Sequence, residues 1–336
     1  MSYNHHSISI HFANAMLNGA RLNGLNEQQL LREAGLNSEL LRNQEVRITP
    51  MQLSRLVQSI LRHSDDDYLG LASPPCRFGI FALMCRMVIH CTDLQQVFTQ
   101  AVQFYNLLVP ASHMTITEEG ERVIFTLDLT HPEKDPDHAL IDFLMLLWHR
   151  FPSWLIGQRI PLKQVGFQHS KPAHFEEYRL MFPCPTVFDQ PHNSLTFDRS
   201  IMSAPVVQTL QNLSSYLRRA PLDWFKRQSY YPVYTRKVMD YLENAESMVD
   251  TSMEDIANQL HTTSRTLRRK LDEEGTSFQE IKDGVRRDEA IHLLSQPNLP
   301  ISKIARLLGF AEAAAFTRAF KHWTGISPST YRKSKG

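Results

Sequence analysis

Residues 252–271 read SMEDIANQLHTTSRTLRRKL, and residues 300–320 read PISKIARLLGFAEAAAFTRAF. The two stretches carry one pattern. Met253, Ile256, Ala257 and Leu260 fall at i, i+3, i+4 and i+7, the spacing of one helix face. Ile301, Ile304, Ala305 and Leu308 repeat it 48 residues later. A break follows at His261–Thr262 and again at Gly309. A second helix then turns Leu267 and Leu271 inward in the first copy, and Phe316 and Phe320 inward in the other. The period predicts two tandem helix-turn-helix motifs, at 252–272 and 301–322. Between them IKDGVRRDEAIHLL (281–294) predicts a linking helix with Val285, Ala290, Ile291 and Leu294 on its apolar side.

The physics of such a pair is specific. The first helix sets an angle, and the second enters the major groove, about 12 Å wide, to read base edges. Ala257 and Ala305 are small enough to let the paired helices cross closely. Gly309 suits the left-handed residue that often ends a helix; His261, in the same place, suits it less. Elimination of the inward residues leaves the candidate DNA-binding set. In the first copy these are Thr263, Ser264, Arg265, Arg268 and Arg269. In the second they are Ala313, Ala314, Thr317, Arg318 and Lys321. Arginines suit guanine O6/N7 and phosphate, whereas alanines offer only methyl contacts.

Charge agrees with this placement. The chain is only +1 overall, yet residues 301–336 hold seven Lys/Arg against one acid, Glu312. With 42% hydrophobic and 21% charged residues the composition is that of a globular chain, long enough for two domains. Cys76, Cys85, Cys91 and Cys184 lack the spacing of a zinc site and read as buried free thiols in a reducing compartment. The first residues do not form a signal peptide, and no apolar run reaches membrane-spanning length. The expected location is cytoplasmic. FGIFALMCRMVIHC (78–91) reads as a buried helix.

The first two hundred residues mix helices with a small sheet. Periodicity reads 8–62 as helical, with Thr49 and Pro50 as N-cap and first position of one helix. It predicts further helices at 93–108 and 137–157. MTITEEGERVIFTLDLT (114–130) alternates around a turn and predicts a β-hairpin. Strands follow at 162–169 and 194–198, with a short helix at 173–182 between them. The stretch 203–219 reads as a helix. The fold class is an α+β N-terminal sensor domain followed by an all-α domain. The expected division is 1–225 for effector binding and dimerisation, 226–235 as linker, and 236–336 for DNA binding.

The N-terminal part has no G-x-S-x-G, P-loop or H-E-x-x-H motif, so neither catalytic residues, nor a metal, nor a cofactor is expected. His149 and Arg150, beside Trp148 and Trp154 on an apolar helix, read either as an anion anchor or as structural residues. Tyr105 reads either as effector-facing or as core. The effector so implied is apolar or carboxylate-bearing.

The last hundred residues resemble the AraC/XylS family of bacterial transcription regulators. The family pattern I-A-x-x-x-G-F, F-x-R-x-F-K, G-x-x-P-x-x-Y-R is met by Ile304, Ala305, Gly309, Phe310, Phe316, Arg318, Phe320, Lys321, Gly325, Pro328, Tyr331 and Arg332. Residues 15–205, through Phe78–Gly79 and FPCPTVFDQPHNSLTFD (182–198), resemble the subgroup whose arabinose-binding-type sensor domain is α+β and not a jelly roll. The resemblance implies a homodimeric activator that binds double-stranded DNA and works with RNA polymerase. It also implies two recognition helices about 34 Å apart. Many members carry Ser at 311 and polar residues at 313–315; here all four are Ala, so Ala311 is expected to leave the helix uncapped. Two rival readings stand beside this one. The first is an alkyl-transfer repair enzyme with Cys76, next to Arg77, as a nucleophile in an electropositive site. The second is a regulator without a ligand.

Overall fold

In the computed structural model the described residues are 7–182, 184–225, 233–244, 251–274, 276–296 and 299–333. They divide into two compact units. Met1–His11, Gly35–Gln52 and Tyr231–Gly336 form one, and Phe12–Ala34 with Leu53–Tyr230 form the other. Most of the expected linker, 226–232, lies outside the described residues.

The elements in chain order are β1 (Ile8–Ser9), α1 (Ile10–Leu22), α2 (Glu27–Ala34), α3 (Ser38–Leu41), β2 (Arg47–Ile48), α4 (Pro50–Ser64), α5 (Ile80–Val88) and α6 (Leu94–Leu108). Next come β3 (Ser112–Glu119), β4 (Arg122–Leu129), α7 (Ala139–Leu155), β5 (Leu162–Gly166), α8 (Tyr178–Met181), β6 (Thr186–Val187), β7 (Ser194–Asp198) and α9 (Leu210–Arg219). The last are α10 (Val233–Asn244), α11 (Met253–Gln259), α12 (Ser264–Glu273), α13 (Phe278–Ser295), α14 (Ile301–Leu307), α15 (Ala313–Thr324) and α16 (Pro328–Lys333).

The mixed unit is built on a five-stranded sheet in the order β3-β4-β7-β5-β6. β3 and β4 are the hairpin read from the alternation, in register from Ser112↔Leu129 to Glu119↔Arg122. Gly120, at φ 60°, makes its turn. Alternation puts Met114, Val123, Phe125 and Leu127 on the buried face. α6 and α7 cover that face. Phe98 of α6 stacks on Phe197 at 5.7 Å, and Trp148 of α7 meets Phe125 at 5.2 Å. Asp93 starts α6 by accepting the Gln96 N–H at 2.9 Å. Gln52 N–H donates to Thr49 Oγ1 at 3.2 Å, so Thr49 caps α4 with Pro50 at its first position.

Two helices differ from their sequence reading. The stretch 203–219 becomes helical only at Leu210, where Thr209 caps Asn212. Before that the chain is extended: Asp93 bridges Pro205, Val206 N–H donates to Thr92 and Val207 N–H to Leu155. Strand-like bonds to two neighbours outweigh helix propensity there. α5 buries only one side. Met84, Cys85 and Val88 face in, while Leu83 and Met87 are 52% and 37% exposed. Its apolar residues lie on both faces, so composition alone suggested a wholly buried helix. β1 and β2 interrupt the stretch read as helical, and β6 and α16 also escaped the reading; all four are too short for a period to show. α10 escaped it too, and begins at Val233, inside the expected linker.

The second unit is mainly helical. β1 and β2 pair antiparallel within it, Ile8↔Ile48. One core joins Val238 and Leu242 of α10, Ile256 and Ala257 of α11, Leu267 and Leu271 of α12, and Ile281 and Val285 of α13. Farther along α13, Ala290, Ile291 and Leu294 are buried, as are Ile304 and Ala305 of α14, Phe316 and Phe320 of α15 and Tyr331 of α16. Phe320 lies 5.7 Å from Phe316 and from Tyr331. α13 therefore carries inward residues at both ends, as a linking helix must.

Candidate nucleic-acid interface

The turns after α11 and α14 are the same device. His261 and Gly309 both take left-handed backbone, at φ 51° and 81°. Thr262 N–H bonds back to the Ala257 carbonyl and Phe310 N–H to that of Ala305, each at 2.9 Å. His261 N–H reaches Asn258, and Gly309 N–H reaches Arg306, each at 3.0 Å. This is the C-terminal bonding that lets a helix stop and the chain reverse. His261 adopts it against the crowding of its own Cβ, a cost of about 1–2 kcal/mol that Gly309 avoids.

α11 and α12 each start on a side-chain cap. Ser252 and Asp255 form a capping box on α11, and Thr263 Oγ1 accepts Thr266 N–H at 3.2 Å to start α12. Leu267 and Leu271 are fully buried, so Arg265, Arg268 and Arg269 stand in solvent, and Ser264 is half-buried. The three arginines are not alike. Arg269 Nε lies 3.7 Å from Glu273, whose other oxygen takes Lys270 at 2.9 Å. Arg265 and Arg268 form no ion pair among the described residues.

α15 presents a different surface. Phe316 and Phe320 point inward; Ala314, Arg318 and Lys321 are exposed, and Ala313 and Thr317 are half-buried. The Thr317 hydroxyl donates to the Ala313 carbonyl at 2.9 Å, which spends its proton inside the helix. The N-cap is Glu312, not Ala311, because α15 starts at Ala313. Glu312 has cap-like extended backbone but makes no side-chain cap bond. The helix is uncapped as expected, from a position one residue later. Its one acid sits where the helix dipole favours negative charge.

The effector candidates lie in the mixed unit and do not converge. Tyr105 is buried, edge-on to Trp148 at 5.5 Å. His149 is buried too; its Nε2 bonds the Ile160 carbonyl at 3.0 Å and its Nδ1 faces Arg150 Nη1 at 3.3 Å. Nε2 thus carries the proton, and burial together with Arg150 pushes the imidazole down to about 3. Arg150 is 5% exposed and borders a cavity of about 440 Å³ lined also by Arg159, Arg219, Trp154 and Tyr216. Tyr105 and His149 do not line it. Arg159 and Arg219 lie in polar stretches whose spacing says nothing about a shared cavity, so the sequence reading missed them.

All four cysteines are free and buried. Cys76 sits near Asp66 and Asp67, not in an electropositive site. Burial, then those carboxylates, push its thiol up. It is a poor nucleophile, which removes the footing of the alkyl-transfer reading. Among the described residues no group of three or more His, Cys, Asp or Glu is placed to hold a metal ion. No described helix is long and apolar enough to cross a membrane.

A family model described as the arabinose-binding domain of AraC transcription regulators, N-terminal, matches residues 24–206. A helix-turn-helix domain model matches 256–334. An ornithine utilization regulator from Pseudomonas aeruginosa is 26% identical over 332 residues, covering 97% of this chain and 96% of its own. A urease operon transcriptional activator from Escherichia coli is 32% identical over 96 residues, 29% of this chain and 32% of its own. Among solved structures, the transcriptional regulator CdpR from Pseudomonas aeruginosa aligns over 95% of this chain and 96% of its own, at 21% identity and a TM-score of 0.33. The helix-turn-helix match makes this a DNA-binding chain. With a helix-turn-helix model matched near one end and the N-terminal model spanning more than half of the sequence, the protein belongs to the AraC family of transcription regulators.

Proposed function

We propose that the protein is an effector-controlled, sequence-specific activator. In this reading α11–α12 and α14–α15 are tandem helix-turn-helix motifs, with α12 and α15 as recognition helices. The observation that carries it is the repeated turn, with identical backbone bonds 48 residues apart and matching buried positions on either side. Thr263, Ser264, Arg265, Arg268 and Arg269 meet one major groove, and Ala313, Ala314, Thr317, Arg318 and Lys321 meet the next.

The readers divide the work unequally. α12 supplies hydrogen-bonded base readout through Arg265 and Arg268, which form no ion pair among the described residues. α15 offers methyl groups and phosphate contacts, so it holds position and senses thymine methyls or shape. The mixed unit takes a small effector, apolar or carboxylate-bearing, at the site bordered by Arg150. A homodimer is supported by the exposed apolar side chains Leu83 and Met87 on α5 and Leu210 on α9. The activator role, and with it RNA polymerase as partner, follows from family likeness, including the activator of the urease operon.

The test is selection of binding sites followed by footprinting. Two protected windows about 10 base pairs apart on one face of the duplex are expected per chain. A single window would sink the tandem reading.

A further inference from the structure

The cavity beside α7 has an unusual charge balance. Among the described residues three guanidinium groups, Arg150, Arg159 and Arg219, line it against one carboxylate, Asp223. Asp223 is engaged by Arg219 at 3.1 Å. Arg150 is the buried member, and its bonds do not neutralise it. Its Nη2 donates to the Met181 carbonyl at 2.7 Å, its Nε to that of Trp224 at 3.4 Å, and its Nη1 to His149 Nδ1 at 3.3 Å. None of these partners is an anion. A guanidinium has five N–H donors, so two remain beyond those three bonds. Burial, and then the charge of Arg159, push it down to about 9. Among the described residues Arg150 thus has no counter-charge. A cation so buried, beside a second cation, destabilises the fold unless an anion arrives to offset it.

The walls indicate which anion. Trp154 and Tyr216 stack at 4.2 Å with their planes 20° apart. Trp224 closes the same cavity, its indole N–H donating to Tyr216 Oη at 2.5 Å. A volume of about 440 Å³ falls within the range of small-molecule sites, about 300–1,000 Å³. A fork of N–H donors beside flat aromatic walls matches a planar carboxylate on a flat, unsaturated body.

We propose that this cavity is the effector site, that its ligand is a small aromatic or unsaturated carboxylic acid, and that Arg150 and Arg159 clamp the carboxylate while Trp154 and Tyr216 hold the body. It rests on the reading that the mixed unit binds an effector. It sharpens that reading by choosing carboxylate over a purely apolar ligand, and by adding Arg159, Trp154 and Tyr216.

The test uses the full chain, with benzoate as probe, benzamide as its neutral counterpart, and inorganic phosphate as a competing anion. Benzoate is expected to quench tryptophan fluorescence and raise the thermal midpoint, and benzamide to do neither. Arg159→Gln, at an exposed position, should fold and bind benzoate at least tenfold more weakly. Arg150→Lys, which keeps the charge but loses the fork, should bind weakly, and Arg150→Met not at all. If Arg150→Met does not fold, Arg159→Gln decides. Equal benzoate binding by wild type and Arg159→Gln overturns the proposal, as does a response to phosphate but not to benzoate, or no response to either. DNA affinity measured with and without benzoate separates the two levels. Binding that depends on the arginines but leaves DNA affinity unchanged keeps the carboxylate site and removes its effector role.

Discussion

Arg265→Ala is the substitution that most directly weighs α12 as a reader. Arg265 is exposed and makes no ion pair among the described residues, so its removal takes nothing from the fold. Stability should change by no more than about 0.5 kcal/mol. Any loss of DNA affinity then belongs to the interface. A bidentate contact to a base is worth about 1–3 kcal/mol, or roughly 5- to 150-fold in Kd. Arg268→Ala should behave alike. Arg269 is different, because Glu273 already lies 3.7 Å away. A phosphate role for it predicts a smaller, sequence-independent loss and a salt slope reduced by about 1. Fluorescence anisotropy with the selected site and singly substituted sites, at several salt concentrations, reads both quantities. If Arg265→Ala and Arg268→Ala keep full affinity and full base preference, the assignment of α12 is wrong. If all three variants lose affinity equally on every sequence, α12 grips the backbone only.

Thr263→Ala should cost about 1 kcal/mol in chemical denaturation, because it removes the cap on α12. Glu312→Ala should cost less, since Glu312 makes no cap bond; equal losses would contradict that asymmetry. His149 is held neutral down to about 3, whereas an unfolded histidine titrates near about 6.5. The unfolded chain therefore binds the extra proton first, so this stability is present above about pH 6.5 and is lost as pH falls towards 3. Between pH 6.5 and 5 the loss is about 2 kcal/mol. His149→Gln should flatten thermal midpoints over that window, and parallel curves for the two proteins would refute the neutral assignment.

The parts of this protein legible in its sequence are those governed by a short period. The buried apolar residues of α11, α12, α14 and α15 were readable, because packing repeats every third or fourth residue and the repeat occurs twice; buried Thr324, a polar residue at the end of α15, was not. The hairpin β3–β4 was readable for the same reason, with a period of two. The start of α9 was not, since the bonds that hold 205–207 extended come from Thr92 and Leu155, far away in the chain. The cavity beside α7 was half readable. Arg150 stood out as a charge in an apolar helix. Arg159 and Arg219 joined it only through the tertiary fold, which no local pattern encodes.

The helical unit gathers its pieces from opposite ends of the chain. The Ser7 hydroxyl donates to Asp288, across 281 residues, and Arg47 Nε bonds Ser7 Oγ at 2.7 Å. Ribosomal synthesis at about 5–20 residues per second separates the two sides of the Ser7–Asp288 bond by roughly 15–55 s. Over that interval β1 and β2 have been made and their helical partners have not. Residues 53–225 emerge in one run and can fold while the tail is still being translated. The helical unit can therefore close only after the segment from residue 231 onward has been made. A fragment cut at residue 236 would carry every residue proposed to face DNA but lack two of the three chain segments that complete the unit.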